Sequence, residues 1–180
     1  VLLTGYPAAL RYHPSLKHPD GVRSPAMVCR VDDVSGTLTG VWRIFITEGG
    51  QKAAVSNVKL GLGPTAGGAV RLFPPVDGAI GIAEGVETAL AVHVLTGGKV
   101  SCWAGLSTSG MAGFDPPFSV ERISAWPDGD IQKRDKEGRW HPAPGPTAAA
   151  KLLERMNEAG IPMTVDPPPR NGRDFLDILA

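Results

Sequence analysis

The sequence predicts an α/β fold in which a mostly parallel four-stranded sheet is flanked by helices and follows a small β-rich unit. After Gly78, short apolar runs alternate with helical stretches, which is typical of parallel strands joined by right-handed crossovers. Before Pro74-Pro75, β-branched and aromatic residues dominate instead. The proline pair and the following Asp77-Gly78 are typical of a boundary. We therefore predict a β-rich domain at 1–75 and an α/β domain at 76–180.

The β-rich domain opens with a lead segment, 1–20, that is rich in turn formers. Two apolar, β-branched runs flank Asp32-Asp-Val-Ser-Gly36, and this pattern predicts a hairpin. Two shorter strands are expected before the boundary. The predicted strands of this domain are 26–31, 37–47, 58–60 and 69–73.

The α/β domain alternates strands with helices, and glycines end the two longer helices. A polar, aperiodic stretch at 131–144 predicts an exposed insertion. The predicted strands are 79–83, 99–104, 120–126 and 161–165. The predicted helices are 86–95, a short one around Met111, 146–159 and a final turn at 174–179.

The composition bears on the cellular compartment of the protein. No run approaches the length of a membrane span, so we expect no membrane partner. Cys29 and Cys102 are isolated, with neither metal-ligand spacing nor a disulfide framework. This cysteine usage favours a reducing, cytoplasmic setting.

The net charge of zero hides an asymmetry between the two predicted domains. Residues 1–75 carry eight Lys and Arg against four acids, so this part is +4 and the remainder is −4. Such a balance fits a polyanion track beside an acidic metal site, although ordinary scatter explains the counts equally well. The candidate phosphate contacts are Arg43, Lys59 and Arg11.

Two acidic elements carry the chemistry. Glu84-Gly85 follows the strand 79–83, and Asp128-Gly129-Asp130 follows the strand 120–126. Acids at the carboxyl ends of parallel strands point into the crevice where open α/β sheets bind ligands. Carboxylates that meet there repel one another unless a cation lies between them, and oxygen ligands suit Mg²⁺ or Mn²⁺. A divalent metal in such a crevice implies phosphate chemistry.

These elements resemble the Toprim signature shared by bacterial-type primases, topoisomerases and certain nucleases. The alanine-rich stretch 145–154 resembles the helix that follows Asp-Gly-Asp in primases, here displaced by the insertion. The tail 172–177, Gly-Arg-Asp-Phe-Leu-Asp, is similar to a Gly-Lys-Asp-Pro-Asp element of those enzymes. The β-rich part is similar to their basic subdomain. Most of the chain thus resembles primase-like Toprim proteins of phages, plasmids and mobile elements.

The resemblance implies a role for each acid. Asp128 and Asp130 would bind metal, and Glu84 would act as general base, as metal ligand, or as both. Asp174 and Asp177 of the tail are further candidate ligands. Two positions depart from the primase pattern, because Thr88 and Leu176 replace carboxylates. The candidate crevice-lining residues are Gly85, Gly129, Ser107 and Thr108.

We therefore predict primer synthesis from nucleoside triphosphates on a single-stranded DNA template, with a replicative helicase on another segment or chain as a possible partner. Two alternatives stay open. The same carboxylates could activate water in a metal-dependent DNA nuclease. The missing carboxylates also fit a non-catalytic module that binds single-stranded DNA or docks a helicase.

Overall fold

The computed structural model describes residues 5–166, 173 and 175–179, and these residues form two four-stranded sheets and a two-stranded hairpin. The first sheet is antiparallel, with its strands in the order β1-β2-β3-β4. Its strands are β1 (Leu10–Lys17), β2 (Arg23–Asp32), β3 (Leu38–Phe45) and β4 (Lys59–Leu62).

The second sheet is parallel throughout, with its strands in the order β10-β7-β5-β6. Its strands are β5 (Ala79–Ala83), β6 (Cys102–Ala104), β7 (Arg122–Trp126) and β10 (Met163–Val165). The helices are α1 (Val86–Leu95), α2 (Thr108–Ala112), α3 (Pro144–Glu158) and α4 (Leu176–Leu179). The predicted α/β fold with a preceding β-rich unit is confirmed.

Apolar side chains bury both faces of the parallel sheet. On one face, Ile82 of β5 and Ile123 of β7 lie in a core cluster with Met111 of α2 and Leu152 of α3. On the other face, α1 packs in a second cluster that includes β2 and β3 of the antiparallel sheet. The two sheets therefore share a hydrophobic core on the α1 side.

The stretch predicted as a strand at 69–73 instead makes single bridges. Ala69 pairs with Asp32 of β2, and Val70 exchanges two backbone hydrogen bonds of 2.9 and 3.1 Å with Ala104 of β6. Together the two bridges link the two sheets, and the Val70 bridge covers the outer side of β6, which would otherwise expose unpaired backbone groups.

The lead segment contains a strand that the sequence did not predict. β1 is largely exposed, so it has no apolar alternation to mark it, and backbone pairing with β2 holds it in place. Pro14 lies where the register shifts between His13 and Leu16, which an edge strand tolerates because proline has no N–H to donate.

The insertion also has structure that the sequence did not predict. Residues 131–144 contain a hairpin of β8 (Lys133–Arg134) and β9 (Trp140–His141), and α3 begins at Pro144 rather than at residue 146. The hairpin turn runs from Asp135 to Gly138, whose N–H donates to the Asp135 carbonyl at 3.1 Å. Gly138 has a φ of 79°, a conformation that glycine adopts without strain.

No helix among the described residues is both long and apolar enough to cross a lipid bilayer.

Replacing Leu152 of α3 with alanine tests the packing of α3 on the sheet. Leu152 is fully buried, so we expect Leu152→Ala to lower the free energy of unfolding by about 2–5 kcal/mol through a cavity. Glu158→Ala, at an exposed position of the same helix, should change it by less than about 0.5 kcal/mol. Urea unfolding followed by circular dichroism measures both, and equal effects would contradict the packing described.

Candidate functional site

Glu84 and Asp128 meet at the carboxyl edge of the parallel sheet. β5 pairs directly with β7, with Ala83 opposite Trp126, so the residues that follow these strands emerge side by side. The Asp128 N–H donates to Glu84 Oε1 at 3.3 Å, across 44 positions of sequence. The structure therefore brings together one acid from each of the two sequence motifs.

Asp130 is held against the start of α3. Its Oδ2 accepts a hydrogen bond of 3.0 Å from the N–H of Gly145, in the first turn of this helix. The positive end of the α3 dipole also favours a negative charge there. Asp130 and Gly145 thus close the base of the loop that carries the β8–β9 hairpin.

Gly145 lies where a side chain would collide with the acids. A Cβ built on Gly145 would lie 2.5 Å from Glu84 Oε1 and 2.8 Å from the carbonyl oxygen of Asp128. Only glycine therefore lets α3 approach this closely. The sequence placed Gly145 in the alanine-rich helix but did not indicate its contact with Glu84.

Burial and neighbouring charge alter the Glu84 carboxyl. Glu84 is only 9% exposed. Burial raises its pKa to about 7, and the nearby carboxylates of Asp128 and Asp130 add to the increase, while the Asp128 N–H opposes it. A carboxyl that titrates near neutral pH can exchange a proton under physiological conditions, and such groups cluster at functional sites.

Thr88 of α1 orients Asp128. Its hydroxyl donates to Asp128 Oδ1 at 3.0 Å, and the Thr88 side chain is buried. This threonine stands at the position where the primase resemblance implies a carboxylate. Thr88 therefore gives Asp128 a hydrogen-bond donor, whereas a carboxylate at this position would add a negative charge.

Of the three candidate phosphate contacts, Lys59 lies at the acidic site. Its Nζ is 2.8 Å from Glu87 Oε1 in the first turn of α1, and 3.9 Å from a Cβ built on Gly85. Arg43 instead donates to the carbonyl of Gly61 on β4 at 3.0 Å. Arg11 donates to backbone carbonyls within its own segment.

The candidate crevice residues divide into two groups. Gly85 caps the start of α1, and the Gly129 N–H donates to the carbonyl of Arg173 at 2.9 Å, so both lie beside the acids. Ser107 caps α2 by accepting from the Gly110 N–H. Thr108 lines a neighbouring cleft of about 420 Å³ between α2, α3 and the hairpin.

Of the two candidate ligands in the tail, the structure describes Asp177. Asp177 lies exposed in α4, which packs against α1. Asp174 lies outside the described residues. Within the part of the chain that the structure describes, no three His, Cys, Asp or Glu side chains lie close enough together to form a ready-made metal cage.

Sequence comparison identifies the family. The sequence model of the Toprim domain matches residues 79–180, which is more than half of the chain, so the protein belongs to the Toprim family. Residues 2–72 match a domain of unknown function, DUF7146. A comparison with curated proteins finds no significant match.

Solved primases share the fold. The chain is similar to the primase fragment of the bacteriophage T7 primase-helicase protein, with a TM-score of 0.57 and 15% identity over 92% of this chain and 60% of that one. It is also similar to the zinc-binding and RNA polymerase domains of the Aquifex aeolicus primase (TM-score 0.51, 16% identity, 92% and 40% covered). A third similar structure is the DnaG primase catalytic domain bound to ssDNA (TM-score 0.52, 14% identity, 86% and 47% covered). The chain thus spans about 40–60% of the length of these structures.

The raised pKa of Glu84 predicts a pH-dependent stability in metal-free buffer. The carboxyl has a pKa of about 7 when folded and an ordinary value near 4.5 when unfolded, so the folded state holds its proton more tightly. The contribution of the Glu84 carboxyl to the free energy of unfolding is therefore complete below about pH 4.5, and it is lost as the pH rises through about 7. At pH 8, Glu84→Gln should be more stable than wild type by at most about 3 kcal/mol, with the difference vanishing near pH 4. Urea unfolding in EDTA at several pH values measures this, and a constant difference between the two proteins would contradict it.

Gly145→Ala tests the close approach of α3 to the acids. Because the added methyl would collide with Glu84 and Asp128, we expect the free energy of unfolding to fall by about 1–3 kcal/mol. Gly49→Ala is the matched control, because a Cβ there would meet only Thr47 Oγ1, at 3.8 Å. If thermal and urea unfolding show the same change for both variants, the described contact is wrong.

Proposed function

We propose that the chain is a primase-type nucleotidyltransferase that joins nucleotides on a single-stranded DNA template. The observation that carries this proposal is the meeting of Glu84 and Asp128 at the carboxyl edge of β5 and β7. The Toprim family and the fold shared with primases support it.

The donor set at the site fits a hard divalent cation. All the candidate ligands are carboxylate oxygens, and the mutual repulsion of Glu84, Asp128 and Asp130 would be relieved by positive charge. Mg²⁺ commonly binds through one or two protein carboxylates and keeps water and phosphate as its other ligands, so a three-residue cage is not required. We propose that Asp128 and Asp130 hold Mg²⁺ or Mn²⁺, with Glu84 beside them. The bound ion would neutralise charge that develops on the reacting phosphate.

In the proposed reaction, the 3′-hydroxyl oxygen of one nucleotide attacks the α-phosphorus of the next. A new phosphodiester bond forms, the bond to the β-phosphate breaks and pyrophosphate leaves. The hydroxyl proton passes to the Glu84 carboxylate, which acts as general base beside Asp128. Thr88 keeps the Asp128 carboxylate in one orientation during this step.

The two domains divide the work in this proposal. Residues 76–180 would carry the acidic site, and the basic residues 1–75 would hold the template through phosphate contacts. Lys59 is the best placed of these, because it reaches the first turn of α1 beside Glu84. The similarity to part of a primase-helicase protein also supports a helicase partner on another segment or chain.

One observation favours a second function, a non-catalytic module that binds single-stranded DNA. Thr88 stands where a carboxylate would add to the metal site, and the described acids form no group of three. Such a module would bind DNA but would need no divalent ion at Asp128.

Asp128→Asn tests the proposed function. The purified chain, a single-stranded template, labelled nucleoside triphosphates and Mg²⁺ or Mn²⁺ should yield short oligomers, and Asp128→Asn should lower the yield by about a hundredfold. Calorimetry should also show Mn²⁺ binding that Asp128→Asn abolishes. Asp77→Asn is the matched control, because this exposed acid precedes β5 at the opposite edge of the sheet.

The outcomes separate the candidates. Oligomers that depend on Asp128 support nucleotidyl transfer. DNA nicking without added nucleotides would instead identify the nuclease. DNA binding with neither Mn²⁺ binding nor product would identify the non-catalytic module.

A further inference from the structure

The β8–β9 hairpin presents an aromatic and basic surface next to the acidic site. Arg134 and Trp140 are cross-strand partners, and the Arg134 guanidinium carbon lies 4.5 Å from the centre of the Trp140 ring. Trp140 nevertheless remains 59% exposed. A tryptophan held in this way by a cation, yet open to solvent, contributes little to a protein core.

The acids of the hairpin pair with only some of its basic residues. The segment 131–144 contains four Lys and Arg residues and two acids. Asp135 and Glu137 are bound by Arg139, and Asp135 also lies 3.0 Å from His141 Nε2. Among the residues that the structure describes, neither acid pairs with Lys133, Arg134 or Lys136. Arg134 lies over the Trp140 ring, which leaves Lys133 and Lys136 as the cations of the hairpin that can meet an anionic ligand.

Hydrogen bonds to Asp135 hold the turn of the hairpin. Asp135 accepts hydrogen bonds from the backbone N–H groups of Glu137 and Arg139 at 3.0 and 2.8 Å, and from Arg139 Nε at 2.8 Å. These contacts fix the turn, so the hairpin side chains lose less freedom when a ligand binds.

The hairpin lies between a candidate metal ligand and a cleft. Its base is closed by the hydrogen bond from the Gly145 N–H to Asp130, one of the candidate metal ligands. His141 and Pro142 line the 420 Å³ cleft together with Thr108, Ser109 and Lys151. The hairpin that carries the exposed Trp140 ring therefore borders both Asp130 and this cleft.

We propose that the β8–β9 hairpin is a binding arm for single-stranded nucleic acid. Trp140 stacks on an unpaired base, and Lys133 and Lys136 contact the adjoining phosphates. A duplex fits this surface less well, because its base faces are already covered by neighbouring base pairs. The inference rests on the proposed function only in taking a nucleic acid as the ligand of this site.

The test measures binding of the whole chain to a labelled oligothymidylate in EDTA, by fluorescence anisotropy. Trp140→Ala should weaken binding about tenfold, and Trp140→Phe, which keeps a stacking ring, should stay within about threefold of wild type. Replacing both Lys133 and Lys136 with serine should reduce the slope of log affinity against log salt by about 1.4, at about 0.7 per phosphate contact. Circular dichroism of each variant checks that its fold is intact.

The controls use residues of the same kinds elsewhere on the surface. Phe118→Ala removes a fully exposed aromatic ring, and Lys99→Ser removes an exposed cation. Both residues lie in loops that precede strands of the parallel sheet, at the edge opposite the acids. Neither substitution should change binding.

The inference is overturned if Trp140→Ala binds as wild type does, if Phe118→Ala causes the same loss, or if duplex DNA loses affinity equally. Its failure can be told apart from that of the proposed function. Oligomer synthesis without any effect of Trp140→Ala on binding removes the hairpin role alone. Trp140-dependent binding by a protein that makes no oligomers removes the nucleotidyl transfer alone.

Discussion

The parallel pairing of β5 with β7 is the constraint on which the candidate site depends. Because parallel neighbours end at the same edge, the residues after Ala83 and Trp126 emerge together although they are far apart in sequence. Burying Glu84 and placing it beside Asp128 has an electrostatic cost, which appears in the raised pKa of the Glu84 carboxyl. Apolar packing on both faces of the sheet supplies the free energy that keeps these acids close. The packing of the sheet thus holds the carboxylates together against an electrostatic repulsion that a bound cation would reduce.

The elements around the sheet edge each hold one part of this arrangement. α3 approaches through Gly145 and orients Asp130, whereas α1 orients Asp128 through Thr88. The antiparallel sheet contacts the start of α1 through an ion pair between Lys59 of β4 and Glu87. The Val70–Ala104 bridge and the shared core on the α1 side join the two sheets. Lys59 thus brings a basic residue of the antiparallel sheet beside the acids of the parallel sheet.

Two features distinguish this chain from the primase pattern that its motifs resemble. Thr88 replaces a charge with a hydrogen-bond donor, which lowers the negative charge around Asp128 while still fixing its carboxylate. The inserted hairpin adds cations and an exposed tryptophan between the Asp-Gly-Asp element and α3. The site therefore has less negative charge at its centre and more positive charge beside it.

The amino-acid sequence alone determined the class of fold, the order of its main strands and helices, and the two acidic motifs. These features are local, because periodicity, glycine stops and residues at strand ends can be read within a few neighbouring positions. The sequence missed β1, which has no apolar alternation, and it missed the hairpin, although Asp135 and Gly138 are favoured turn residues at that spacing. Only the tertiary structure decided that Thr88 contacts Asp128, that Gly145 contacts Glu84, that Lys59 pairs with Glu87, and that the Glu84 carboxyl is buried. Such contacts depend on distances between segments that are remote in sequence, and the packing of whole sheets and helices sets those distances.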